Sequence, residues 1–152
     1  MIDTTNNTIQ TANALIYYKD KEGYKYLLVQ EADKSWGLAG GAKDVEDADL
    51  IATLKRELKE EVGLDVSSYK IKKTEAVYNF TYSNKSSSRY GKKGIETIFA
   101  IEVFKSLDIT LAEDISAFGW FYEEDAKSKL AEVDFFKYRL EQFIKAQQAL
   151  GH

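Results

Sequence analysis

In this chain of 152 residues, the residue types that can do chemistry cluster in one short run, Arg56-Glu57-Leu58-Lys59-Glu60-Glu61-Val62-Gly63-Leu64. Its carboxylates stand at i, i+3 and i+4, which makes them neighbours on one side of a helix. At about 100° per residue, Glu57 and Glu61 lie about 40° apart, at one edge of an apolar stripe formed by Leu50, Ile51, Leu54, Leu58 and Val62. Glu60 lies further round the same side, while Lys55 and Lys59 fall on the opposite border. The acids are therefore sorted away from the bases instead of pairing with them. Acids so placed repel by roughly a few tenths of a kcal/mol per exposed pair. Beside a buried stripe the cost rises, because screening weakens. A divalent cation removes the penalty. Hard oxygen ligands suit Mg²⁺, which keeps several waters and accepts phosphate oxygens as further ligands. The chemistry open to such an edge is water attack on a diphosphate. A solvated charged face with a glycine stop is the competing reading of the same run.

The elements that must hold this edge are legible from periodicity. Trp36-Gly37-Leu38-Ala39-Gly40-Gly41 reads as a glycine-rich connection, and Asp44, Glu46, Asp47 and Asp49 form an acidic stretch suited to a helix start. The helix is expected from about Asp47 to Val62, stopped by Gly63. Strands are expected at Ala12–Tyr18 and Tyr24–Gln30, joined by a turn at Lys19–Gly23. Ile71–Tyr82, Gly94–Phe104 and Phe118–Tyr122 are further strands. Glu123–Leu130 and Asp134–Leu150 read as closing helices, the second with Phe135, Phe136, Leu140, Phe143, Ile144 and Leu150 at helical spacing. Strands interrupted by helices predict an α/β or α+β sandwich.

Composition bounds the function. The chain is 44% hydrophobic and 13% aromatic, which suits one globular domain over residues 11–150 behind a polar, flexible 1–10. No apolar run approaches membrane-spanning length, and the first residues lack the pattern of a secretory signal, so a soluble cytoplasmic protein is expected. Without cysteine there is no thiol nucleophile, disulfide framework or Cys-based metal site. A net charge of −4 argues against general nucleic-acid binding but leaves room for a small anionic substrate. Proline is absent, so turns rely on Gly, Asn, Asp and Ser. The last residue, His152, is expected to be a tail with no part in catalysis.

The run Arg56–Leu64 resembles the Nudix hydrolase family. Its box is Gly, five residues, Glu, seven residues, Arg-Glu, an apolar residue, any residue, Glu-Glu, any residue, Gly and an apolar residue. The second half of that box is matched in full. Upstream, Trp36–Gly41 is similar to the family's Trp-x-Leu-Pro-Gly-Gly, with Ala39 in the proline's place. Downstream, Phe118-Gly119-Trp120-Phe121 and Glu123-Glu124-Asp125-Ala126 resemble its Trp strand and closing helix. The likeness spans most of residues 11–145. One departure stands out: Gly41 to Arg56 is fifteen positions, one more than the pattern allows. Ala48 falls where the first glutamate belongs, so Glu46 or Asp47 must substitute.

The resemblance implies an α/β/α sandwich with a mixed sheet, acting as a monomer or homodimer. It implies Mg²⁺ or Mn²⁺ on Glu57, Glu60, Glu61 and a backbone carbonyl of Gly40 or Gly41. Arg56 would orient a carboxylate. Glu113 is the first candidate for a further base or ligand, and Glu96 the second. Lys85, Arg89, Lys92 and Lys93 of the basic loop Ser83–Lys93 can neutralise outer phosphates. Tyr78, Phe80, Tyr82 or Tyr90 can stack on a base, although core packing is the favoured reading for Phe80. The implied reaction is hydrolysis of a dinucleoside polyphosphate or a nucleoside triphosphate. Alternatives are cleavage of 5′-triphosphorylated RNA, or a domain that senses a nucleotide without cutting it. Isopentenyl-diphosphate isomerisation is disfavoured, since the metal-dependent type uses a cysteine.

Overall fold

The computed structural model describes residues 1–152. Its sheet is organised by β1 (Thr8–Asp20), whose two halves do different work. The second half turns into β2 (Gly23–Glu31), with the Asp20 carboxylate accepting from the backbone N–H groups of Glu22 and Gly23 in the turn. β3 (Trp36–Gly37) continues beside β2. The first half of β1 pairs antiparallel with β4 (Ala39–Ala42), Thr11–Ala14 against Ala42–Ala39. Along its other side β1 runs parallel to β6 (Lys93–Glu102), which in turn pairs antiparallel with β5 (Ile71–Thr81). β7 (Ile115–Tyr122) pairs with β2. The sheet is therefore mixed, in the order β3-β2-β1-β6-β5, with β4 and β7 attached to β1 and β2.

Strand alternation sorts the core into two layers. Ala12, Ala14 and Ile16 face α1 (Leu50–Val62) and pack with its Leu54, Leu58 and Val62. Leu15 and Tyr17 face the other way, against Ala126 and Leu130 of α2 (Glu123–Leu130) and Phe143 and Ala146 of α3 (Lys137–Leu150). This is the expected α/β/α sandwich. Each fully buried Leu or Val of α1 contributes about 1.5–3 kcal/mol. No helix is long and apolar enough to cross a membrane.

Four expectations are corrected in detail. α1 starts at Leu50 rather than near Asp47, because the Asp49 carboxylate caps it by accepting the Ala52 N–H at 2.8 Å. Its far end is as expected, with Gly63 left-handed at φ 69°. Asp134–Phe136 is a separate 3₁₀ turn before α3, which leaves Phe135 77% exposed. Residues 1–10 are not a loose leader: β1 begins at Thr8, Ile2 bridges to Asp44, and Asp3 pairs with the Lys43 ammonium at 2.9 Å. Polar composition hid this pairing because only Ile9 of that stretch is buried. His152, expected to be a tail, stacks on Tyr24 at 3.6 Å, and its Nδ1 lies 2.8 Å from the Tyr26 hydroxyl.

Candidate active site

The inward edge of α1 meets β4 through glycine. The Gly40 N–H donates to Glu61 Oε1 at 2.8 Å. A Cβ on Gly41 would overlap the Glu57 carboxyl group. A Cβ on Gly40, at φ 155°, would overlap the Ala12 carbonyl oxygen and Asn13. Both glycines are thus required by close approach, which explains a Gly-Gly pair upstream of an acidic helix. Burial raises both carboxylates above their ordinary range, Glu61 up to about 7. For Glu57, Arg56 works against this shift. For Glu61, the Gly40 N–H does.

Arg56 ties the edge together. It grips Asp47 with two bonds, Nε to Oδ1 at 3.0 Å and an NH2 donor to Oδ2 at 2.8 Å. The same guanidinium reaches Glu57 Oε1 at 3.0 Å, Glu60 Oε2 at 3.4 Å and the Ala42 carbonyl at 3.3 Å. Asp47 also accepts from Thr53 Oγ1 and from the Asp44 N–H, each at 2.9 Å. Its carboxyl is held well below the usual range, chiefly by the Arg56 bond. The extra residue in the loop is therefore absorbed by a turn that presents Asp47, not Glu46, to the arginine. Ala48 needs no chemistry.

The acids are not preassembled as a triad: no group of three acidic side chains converges to metal-holding distance. Glu57 is turned inward with its side chain 17% exposed, whereas Glu60 points outward at 59%. Like charges separate when nothing neutralises them, and Arg56 draws Glu57 and Glu60 to itself. The site nevertheless fits a divalent ion. Its donors are hard oxygens, and a space that a Cβ would fill is kept open beside them.

From this edge a cleft of about 740 Å³ runs across the α3 face of the sheet. Glu57, Glu61, Gly40 and Gly41 line one part of it. The other part is aromatic: Tyr78, Phe80 and Tyr82 project from one face at and just beyond β5. Tyr78 stacks on Tyr138 with ring centres 4.8 Å apart and planes within 7°. Phe80 lies flat over Gly94, its partner across the strands, so it walls the cleft rather than filling the core. Arg89 stands over the Tyr82 ring at 5.7 Å.

Of the residues expected from sequence, Gly40, Gly41, Glu57, Glu61, Tyr78, Tyr82 and Arg89 share the cleft. Arg56 and Glu60 do not line it; Arg56 joins both to the cleft through its bond to Glu57. Lys92, Lys93 and Tyr90 do not line it: the Lys92 ammonium lies 3.4 Å from Asn7 Oδ1, Lys93 lies in the β5–β6 ladder, and the Tyr90 ring is 51% exposed. Glu113 is exposed in the turn before β7, outside the cleft. That turn is joined to α1, however, by the Ala112 N–H donating to the Glu61 carbonyl at 2.9 Å. Glu96 lines the cleft, and burial raises its carboxyl above the ordinary range.

Sequence reasoning missed Arg139, which donates to Ser35 Oγ at 3.1 Å and to the Trp36 carbonyl at 3.0 Å and lies 3.8 Å over Phe136. It also missed Gln142, which is buried and lines the cleft. Nothing in the spacing of α3 marks either, since both depend on partners far away in the chain.

The geometry has relatives. A model of the NUDIX domain matches residues 9–142. No curated protein matches the chain. The Escherichia coli dihydroneopterin triphosphate pyrophosphohydrolase superposes with a TM-score of 0.70 at 19% identity, covering 94% of this chain and 96% of that one. A Caenorhabditis elegans Ap4A hydrolase in a binary complex gives 0.66 at 21%, covering 90% and 95%. The NUDIX domain of Shewanella oneidensis NrtR, complexed with ADP ribose, gives 0.71 at 19%, covering 93% and 87%. At these identities the superpositions establish the shared fold. The matched domain, with an Arg-Glu-x-x-Glu-Glu helix facing a Gly-Gly strand, shows that the chain belongs to the NUDIX family.

Proposed function

We propose that the protein is a metal-dependent pyrophosphohydrolase that cleaves a nucleoside diphosphate from the group to which it is linked. Its substrates would be dinucleoside polyphosphates or nucleoside triphosphates, and its cation Mg²⁺ or Mn²⁺. The observation that carries the reading is the meeting of Glu57 and Glu61 with Gly40 and Gly41 at one part of a cleft whose other part is aromatic. Charge is handled at one region and a flat ring at the other.

Glu57, Glu60 and Glu61 would hold the cation, with a carbonyl of Gly40 or Gly41. When bound, the ion shields phosphate charge and makes water a better nucleophile. Arg56, fixed by Asp47, positions Glu57, and its longer contact with Glu60 would give way as that carboxylate turns to the cation. Water attacks phosphorus, its proton passes to a carboxylate, and the anhydride P–O bond breaks with the electron pair leaving on phosphate oxygen. Glu113, in the turn bonded to α1 at Glu61, is the carboxylate proposed to take that proton, by swinging into the cleft from its exposed position. Arg89 would meet the outer phosphates, and Tyr78 and Tyr82 the base. The same reading places the protein in the cytoplasm, as a monomer or homodimer.

The test is release of phosphate or pyrophosphate from a nucleotide panel with Mg²⁺, repeated with chelator. Turnover that vanishes with chelator supports the reading. Binding without turnover at micromolar protein supports a nucleotide sensor instead.

A further inference from the structure

Where α3 meets β6, the cleft holds a buried acceptor without a donor beside a largely desolvated carboxylate. β5 has a bulge between Lys73 and Val77, which takes Ala76 out of the strand ladder. The Gln142 side chain of α3 occupies the gap, its Nε2 donating to the Ala76 carbonyl at 3.2 Å. That bond settles which end of the amide is nitrogen. The opposite atom, Gln142 Oε1, is buried with no partner, and it is the only such side-chain atom in the protein. An orphaned buried acceptor costs about 1–3 kcal/mol, so its persistence needs an explanation. Next to it is Glu96, whose carboxyl is largely desolvated; the Gln142 amide, the Arg139 guanidinium and the Asn13 amide favour its charged form. Gln142 and Glu96 both line the cleft, and the stacked rings of Tyr78 and Tyr138 line it with them.

Two acceptors beside a flat aromatic wall fit a flat heterocycle that brings donors on one edge. We propose that Glu96 and Gln142 Oε1 form an acceptor floor selecting a guanine-type ring, one with a ring N–H beside an exocyclic amino group. The Glu96 carboxylate would accept the ring N–H and one amino hydrogen, and Gln142 Oε1 the other amino hydrogen. Hypoxanthine lacks the amino group and leaves Gln142 as it stands. Adenine presents a ring nitrogen lone pair to a carboxylate, an unfavourable contact. A site built around hydrogen-bonding groups rejects the analogue that leaves them unpaired. This inference rests on the nucleotide reading of the cleft and narrows its substrate class to guanine-type compounds.

The test is calorimetric binding of GDP, IDP and ADP to the whole protein with chelator present, so that no hydrolysis intervenes. GDP is expected to bind on the order of 10- to 100-fold more tightly than IDP or ADP. Glu96→Gln and, separately, Gln142→Met should each lower the GDP/IDP affinity ratio by about tenfold. The ratio is read on one preparation, so a misfolded fraction leaves it unchanged. Equal affinity for GDP and IDP, no measurable binding of all three, or a ratio that survives both variants overturns the inference. Guanine preference without turnover on the metal-supplemented panel sinks the hydrolase reading and leaves this one standing. Turnover without guanine preference does the reverse.

Discussion

The two parts of the cleft are built in opposite ways. The α1 edge is held by charge at close range, with one guanidinium bonded to three carboxylates and two glycines admitting the acids to the sheet. The aromatic wall is held by ring contacts, and past β5 it rests on a loop whose residues are largely exposed. Charge clamps of the first kind are directional and intolerant of change; stacked rings tolerate a variety of flat partners. The difference predicts where the protein is strict and where it is permissive. The chemistry should be fixed at α1, and the outer part of the substrate read more loosely at Tyr82 and Arg89.

That contrast can be broken most severely at Glu60. Replacing it by Gln is expected to lower turnover on the order of a hundredfold or more while the urea midpoint stays unchanged or rises, since a repelling charge is removed. Full activity in this variant would move the cation elsewhere. Next comes Gly40→Ala, which forces a Cβ against the Ala12 carbonyl oxygen at an unfavourable φ. A loss of about 3 kcal/mol in urea unfolding is expected, and a loss below about 1 kcal/mol would show that the strand relaxes easily.

Asp47→Asn should cost about 1–2 kcal/mol, less than a fully buried pair because Arg56 is 32% exposed, with a parallel fall in kcat as Glu57 loses its positioned partner. Tyr82→Ala belongs to the permissive part: KM should rise about tenfold with kcat and melting temperature almost unchanged. A loss in kcat instead would place Tyr82 among the strict residues.

The smallest effect concerns pH. Glu61 is raised to about 7 from a model-peptide value of 4.5, so the folded state holds the proton more tightly than the unfolded chain. Its contribution to stability is complete below about pH 4.5 and is lost as pH rises through about 7. The melting temperature of metal-free protein should therefore fall over that window, and Glu61→Gln should flatten the fall. An equal slope in the variant would assign the effect to another group.

Legibility in the sequence followed the range of the interactions. α2 has the bounds its pattern implies, and Gly63 ends α1 where a left-handed residue is needed, because capping and periodicity act over a few positions. The Glu57–Glu61 edge was readable for the same reason. The choice of Asp47 over Glu46 was not, since it depends on how the Asp44–Asp47 turn aims a side chain at Arg56. Glu96 was noticed only as an alternate facing on a strand. Gln142 and Arg139 gave no signal at all, because their partners at Ala76 and Trp36 lie far off in sequence. Phe80 reads as core by alternation, which cannot tell a buried face from a cleft wall; in the fold its ring stacks near Tyr138 of α3 and lines the cleft.

The parallel pairing of β1 with β6, Thr8–Tyr17 alongside Lys93–Glu102, joins the first strand to one encoded beyond the middle of the chain. A ribosome must therefore deliver both helix α1 and the whole of β5 before the centre of the sheet can close. Until then β1 has an open edge, available to any other extended chain. Newly made protein should thus be most prone to aggregate between the emergence of α1 and that of β6, a vulnerability set by chain order and absent from the finished fold.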